Sequence, residues 1–163
     1  MKNILKLSAA FLAISSMSSN ALAATAVGTA NARVVTPISV TAGTALEFGS
    51  FASSASTGTI TQAGVVTGGV TAVTGGATRA AGTFTVNGEA VNGTSYTFTL
   101  PATATLTSGA NNMTATLSLA AGTASRTLNA SGVDAVSVNG SLAVAASQAA
   151  GAYTGTYTVT VNY

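Results

Sequence analysis

Apolar and polar residues alternate along most of this chain with a period of two. At its end, Tyr153, Gly155, Tyr157, Val159, Val161 and Tyr163 alternate without a slip against Thr154, Thr156, Thr158, Thr160 and Asn162. Successive side chains of a strand point to opposite faces, so this pattern predicts a strand with one apolar and one polar face. The same alternation predicts strands over Thr83–Val86, Ser95–Leu100, Met113–Leu119 and Val136–Val144, the last with a bulge at Gly140. Thr, Val and the aromatics that fill these stretches suit a pleated, half-buried surface. No window has the 3.6-residue period of an amphipathic helix.

The punctuation fits an antiparallel protein. Asn87-Gly88, Asn92-Gly93 and Asn139-Gly140 can supply the positive φ of tight turns, and Gly68-Gly69, Gly75-Gly76, Gly109, Gly122 and Gly132 separate apolar stretches. Short strands at intervals of about ten residues predict an all-β sandwich or barrel. Aromatics are few, so the core is expected to consist largely of Val, Leu, Ile, Ala and Thr methyls. Phe48, Phe51, Phe84, Phe98, Tyr96, Tyr153 and Tyr157 would be its largest pieces.

Two segments before the first strand read differently. Residues 1–23 have the layout of a secretory signal peptide: Lys2 and Lys6, an apolar stretch from Leu7 to Ile14, a Ser-rich segment, and Ala21-Leu22-Ala23 as the cleavage site. Residues 24–33 form a small-residue arm, with Ala24, Ala26, Gly28, Ala30 and Ala32 on one parity, running on into Val34. The other parity carries Thr25, Val27, Thr29, Asn31 and Arg33. Pro37 interrupts Val34–Val40, and a proline in a strand belongs at an edge or a bulge because it cannot donate a ladder hydrogen bond. The folded domain is expected over residues 34–163, with no linker inside it.

Composition then narrows the function. The formal charge of +2 over 163 residues owes its excess to Lys2 and Lys6; beyond the signal, Arg33, Arg79 and Arg126 balance Glu47, Glu89 and Asp134. A neutral chain offers phosphates no basic stripe, so no nucleic-acid partner is expected, and without mutual repulsion it favours association. After the signal no segment approaches the roughly 20 apolar residues of a membrane span. The sequence has no His and no Cys, the usual metal ligands, thiolate nucleophile and near-neutral base. Glu47, Glu89 and Asp134 are the only carboxylates for acid–base or glycosidic chemistry, and each sits beside Gly or a predicted turn. Asp134 could join carbonyls around calcium, but its spacing matches no calcium-loop motif. No enzyme activity and no cofactor are expected.

The signal peptide, the small-residue arm, "VVTPISVTAGTALEFGSF" (34–51) and "AGAYTGTYTVTVNY" (150–163) together resemble secreted pilin-like domains. The likeness is to the archaic chaperone-usher pilins, which include spore-coat-U-like domains, and to a neighbouring family of small exported bacterial β-proteins. It covers nearly all of the chain after the signal. Its most specific part is Gly151 placed twelve residues before the aromatic Tyr163. Here that aromatic comes last rather than next to last, and the disulfide that archaic pilins often carry is absent.

The resemblance implies an immunoglobulin-like antiparallel β-sandwich that lacks its final strand and is completed by a donor strand from a neighbouring subunit. Ala24, Ala26, Gly28, Ala30, Ala32 and Val34 would then form the donor strand. Gly151, Tyr153, Tyr157, Val159, Val161 and Tyr163 would line the groove edge that a chaperone holds first. The implied partners are identical subunits in a head-to-tail filament, with a periplasmic chaperone and an outer-membrane usher during assembly. The implied place is the cell surface, reached through the periplasm, and the implied role is a fimbrial shaft serving adhesion or biofilm formation. A monomeric secreted β-sandwich binding module or adhesin is the alternative. It would use exposed aromatics, whereas the aromatics here fall on alternating strand faces as core residues do.

Overall fold

The structure is a computed structural model describing residues 23–163, so the predicted signal peptide lies, apart from Ala23, outside the described residues. The chain divides into two units, Met1–Arg33 and Val34–Tyr163. In the first, every residue of the arm from Ala24 to Arg33 is exposed and none belongs to a strand. The second is all-β.

Its strands are β1 (Ser39–Ala42), β2 (Glu47–Phe48), β3 (Phe51–Thr61), β4 (Val66–Ala72), β5 (Arg79–Ala80) and β6 (Gly82–Asn87), followed by β7 (Ser95–Thr99), β8 (Thr103–Ser108), β9 (Asn111–Leu119), β10 (Ser125–Thr127), β11 (Val133–Val144) and β12 (Thr160–Asn162). Among the described residues there is no helix, hence none long and apolar enough to cross a membrane. All strand pairs are antiparallel. The large sheet has seven strands in the order β1-β6-β11-β3-β4, with β9 joining β11 to β8; β10-β7-β12 form a second sheet and β2-β5 a small third. The sheets curl around a common interior, an arrangement consistent with a β-sandwich. Pro37 sits just before β1, which is an edge strand, where a missing N–H costs no ladder bond.

Strand β11 organises the interior. Its first half, Val133–Val138, pairs with β6; its second half pairs with β9 through Val138–Ala143 and with β3 through Ser141–Val144. Its inward residues divide between two hydrophobic clusters. Val138, Leu142 and Val144 meet Phe48, Ile60 and Met113 in one; Val136 meets Val86, Tyr96, Phe98 and Leu128 in the other. Of the seven aromatics expected in the core, Phe48, Tyr96 and Phe98 are buried, and Phe51, Phe84, Tyr153 and Tyr157 pack half-buried against the clusters.

Several local expectations need correction. No bulge or turn occurs at Asn139-Gly140: the β11–β9 register runs unbroken through Asn139↔Ser118, Gly140↔Leu117 and Ser141↔Thr116. A Cβ there would lie 2.8 Å from Phe48 Cζ and 2.9 Å from Leu46 Cδ2, so Gly140 is required by the close approach of the Phe48 ring. The irregularity falls instead in the β3–β4 pair, between Ser53 and Gly58. Gly68-Gly69 lies opposite it inside β4 rather than between strands, with Gly68 at φ 61°. Gly88 lacks the positive φ expected of it, whereas Gly75, Gly93, Gly109, Gly122 and Gly132 have it. Gly140→Val should lower the unfolding free energy by about 1–3 kcal/mol through overpacking against Phe48. A thermal melt unchanged from that of the wild type would show that the ring can move aside.

A candidate groove beside the C-terminal segment

The predicted C-terminal strand is only partly a strand. Ladder pairing is confined to Thr160–Asn162, where Thr160, Val161 and Asn162 face Thr99, Phe98 and Thr97 of β7. Upstream, among the described residues, the segment 150–159 pairs through one bridge, Thr154 with Thr107, whose two hydrogen bonds measure 2.8 and 3.0 Å. The alternation nevertheless persists, because Tyr153, Tyr157, Val159 and Val161 are half-buried while the threonines between them are exposed. Apolar contact rather than ladder bonding therefore holds this stretch. Gly155 permits it to lie on β8, since a Cβ there would run into the Thr105 carbonyl oxygen.

Each predicted edge residue has a distinct place. Tyr153 lines a groove; Tyr157 packs edge-on against Phe84 at 5.9 Å and 73°; Val159 and Val161 lie against the Tyr96–Phe98 cluster. Burial raises the Tyr157 phenol above its ordinary pKa. Gly151 is exposed on the groove rim, and Tyr163 is exposed at the other end of the segment. The arm positions Ala24, Ala26, Gly28, Ala30 and Ala32 are exposed, and Val34, which belongs to the second unit, is 97% exposed.

The groove has a volume of about 740 Å³ and runs between residues 46–53 and residues 148–153. Phe48, Phe51, Leu106, Met113 and Leu142 give it an apolar lining. Its rims are tied by polar contacts: Ser53 Oγ donates to the Gln148 carbonyl at 3.0 Å, Gln148 Nε2 donates to Tyr153 Oη at 2.8 Å, and Tyr153 Oη donates to the Ala149 carbonyl at 2.8 Å. A trough that combines this apolar lining with polar groups in nearly equal share, in the volume range of ordinary binding pockets, is suited to side chains and backbone of an extended segment.

The carboxylates occupy other places. Asp134 on β11 accepts from Arg126 Nε at 2.7 Å and Nη2 at 3.1 Å, and from the Tyr96 hydroxyl at 2.7 Å. This cluster joins the large sheet to the second one, since Arg126 is on β10 and Tyr96 on β7. Burial alone would raise the Asp134 carboxyl, but its bonds to Arg126 and Tyr96 outweigh that and hold it below the usual range. Burial, reinforced by the bond to Asp134, pushes the Tyr96 phenol up to about 12. Glu89 accepts from the Thr36 N–H at 2.7 Å, and Glu47 is exposed. No group of three candidate metal ligands exists among the described residues.

Sequence reasoning missed the groove lining. Residues 46–48, Met113 and Leu142 are far apart in the chain, and the β11–β9 pairing, which sets Leu142 opposite Ala115, brings Met113 and Leu142 together. The available signal was Gly140, a small residue at an inward position of an otherwise bulky strand face.

No curated protein and no solved structure shows significant similarity to this chain. One family model does match, over residues 38–163. That span starts immediately after Pro37, leaves the arm outside, and takes in all twelve strands and the whole groove. With more than three quarters of its length covered, the chain belongs to the DUF4402 family, a domain of unknown function.

Proposed function

We propose that this protein is a structural subunit of an extracellular fimbria assembled by donor-strand exchange. The observation that carries the reading is the C-terminal segment, whose first residues, up to Tyr153, border a 740 Å³ groove of mixed polarity and which has, among the described residues, a single bridge along residues 150–159. A strand laid along that rim would supply ladder bonds and place alternate side chains over Phe48, Met113 and Leu142. The exposed arm 24–33 is the donor, with Ala24, Ala26, Gly28, Ala30, Ala32 and Val34 entering the groove of the next subunit. The receiving domain is an immunoglobulin-like sandwich completed by that strand. A periplasmic chaperone occupies the Gly151–Tyr163 edge before assembly, and an outer-membrane usher adds subunits at the cell surface. Because donor and acceptor surfaces differ, each addition exposes a fresh acceptor and the assembly grows as an open filament.

Deleting residues 24–33 should leave subunits that fold but no longer polymerise. Negative-stain microscopy of material sheared from producing cells reads the outcome. Filaments from the full chain and none from the deletion are expected. Filaments of normal length from the deletion, or soluble monomers from the full chain, would overturn the proposal; the monomers would favour a binding module.

A further inference from the structure

Three backbone and side-chain groups close a ring at the start of the folded unit. The Thr36 N–H donates to Glu89 Oε2 at 2.7 Å, the Glu89 N–H donates to Tyr163 Oη at 2.7 Å, and the Tyr163 hydroxyl donates to the Thr36 carbonyl at 2.7 Å. The three residues come from the stretch ahead of β1, the turn after β6 and the residue following β12. The site is shaped for the phenol: a Cβ on Gly88 would collide with Tyr163 Oη, and Leu128 Cδ1 would lie 2.9 Å from it. The Tyr163 hydroxyl both accepts and donates, so its two bonds strengthen each other.

We propose that this ring is a latch by which β12 holds the base of the N-terminal arm. Thr36 is the first residue after the exposed stretch 24–35 whose N–H and C=O are both held by partners distant in sequence. Closing the ring fixes the backbone from which the arm departs. Opening it removes these backbone anchors between the arm and Ile38, a residue that packs on the interior. The register of β12 on β7, Val161 opposite Phe98, sets where the Tyr163 phenol lies, so anything that shifts β12 also releases the arm. The coupling belongs to the single subunit and does not require the filament, although in a donor-strand filament it would govern how freely the donor searches for its groove.

The chain has no cysteine, so Val34→Cys, at a 97% exposed position, takes a nitroxide label uniquely. Tyr163→Phe removes only the hydroxyl, and Glu89→Ala breaks the ring at a second member should the first variant fold poorly. Either should shorten the label's correlation time several-fold, and Tyr163→Phe should speed hydrogen exchange at the Glu89 amide about tenfold. Tyr153→Phe, at the far end of the same segment, should leave both readings as in the unsubstituted protein. Equal label mobility with and without the Tyr163 hydroxyl, or a Glu89 amide unprotected in the unsubstituted protein, overturns the latch. Filament formation enters neither reading, so failure of the fimbrial proposal is separately visible.

Discussion

Phe98→Ala is expected to remove about 3–5 kcal/mol of stability, the cost of truncating a buried aromatic side chain and leaving a cavity. Phe98 is fully buried, stands in the middle strand of the β10-β7-β12 sheet, and meets the Phe84 ring at 5.9 Å and 60°. Its strand neighbour on β12 is Val161, so the cavity would also undercut the only laddered part of the C-terminal segment. The loss is a large share of the roughly 5–15 kcal/mol that holds an ordinary domain together. Urea unfolding should show a lower midpoint with an unchanged slope. A loss under about 1 kcal/mol would mean that the cluster of Val86, Leu128 and Val136 collapses to fill the space.

Asp134→Asn is the second large effect, expected at about 2–3 kcal/mol. The substitution keeps the shape but removes the charge that accepts both Arg126 bonds and the Tyr96 hydroxyl, leaving a cation without its counter-charge between the sheets. Breaking a fully buried pair costs about 3–5 kcal/mol; here the side chains keep 15% and 18% exposure, and water offsets part of the loss.

The same cluster fixes the pH dependence. Asp134 has a folded pKa below its unfolded value, so its contribution is complete above about pH 4 and is lost as the pH falls through the folded pKa. Tyr96, pushed up to about 12, behaves oppositely: the unfolded chain ionises from about pH 10 while the folded chain does not, so stability falls between pH 10 and 12. The chain lacks histidine, the side chain whose ordinary pKa lies nearest neutrality, so a broad plateau should separate the two limbs. Asp134→Asn should flatten the acid limb. If it does not, another carboxylate governs acid unfolding.

The strands most legible in the sequence were those whose alternation reflects a true inside and outside. Met113, Ala115 and Leu117 face inward on β9, as do Tyr96 and Phe98 on β7, as their parity requires. The pattern over residues 153–163 matches the half-burial of Tyr153, Tyr157, Val159 and Val161 but not the exposure of Gly155 and Tyr163, nor the pairing, because alternation is silent on which N–H groups find a neighbouring strand. Gly140 was misread for a related reason: a glycine required by a ring from Phe48, distant in the chain, looks locally like a bulge. The Arg126–Asp134–Tyr96 cluster and the Thr36–Glu89–Tyr163 ring depend on contacts between remote segments, for which a single sequence carries no local sign, and the groove left only Gly140 as one.

Strand β11 also determines how this domain can fold. It contributes fully buried residues to both hydrophobic clusters, and its partners β6, β9 and β3 all precede it in the chain. The β1–β6, β3–β4, β8–β9 and β7–β10 pairs can form without it, but the edges of β3, β6 and β9 that face β11 stay unmatched until residues 133–144 arrive. Pairings of such long sequence separation close large loops before any gain is returned, which makes the search slow and leaves Thr- and Val-rich edges open meanwhile. A chain lacking residues 133–144 would hold two half-formed interiors without Val136, Val138, Leu142 and Val144 to complete them.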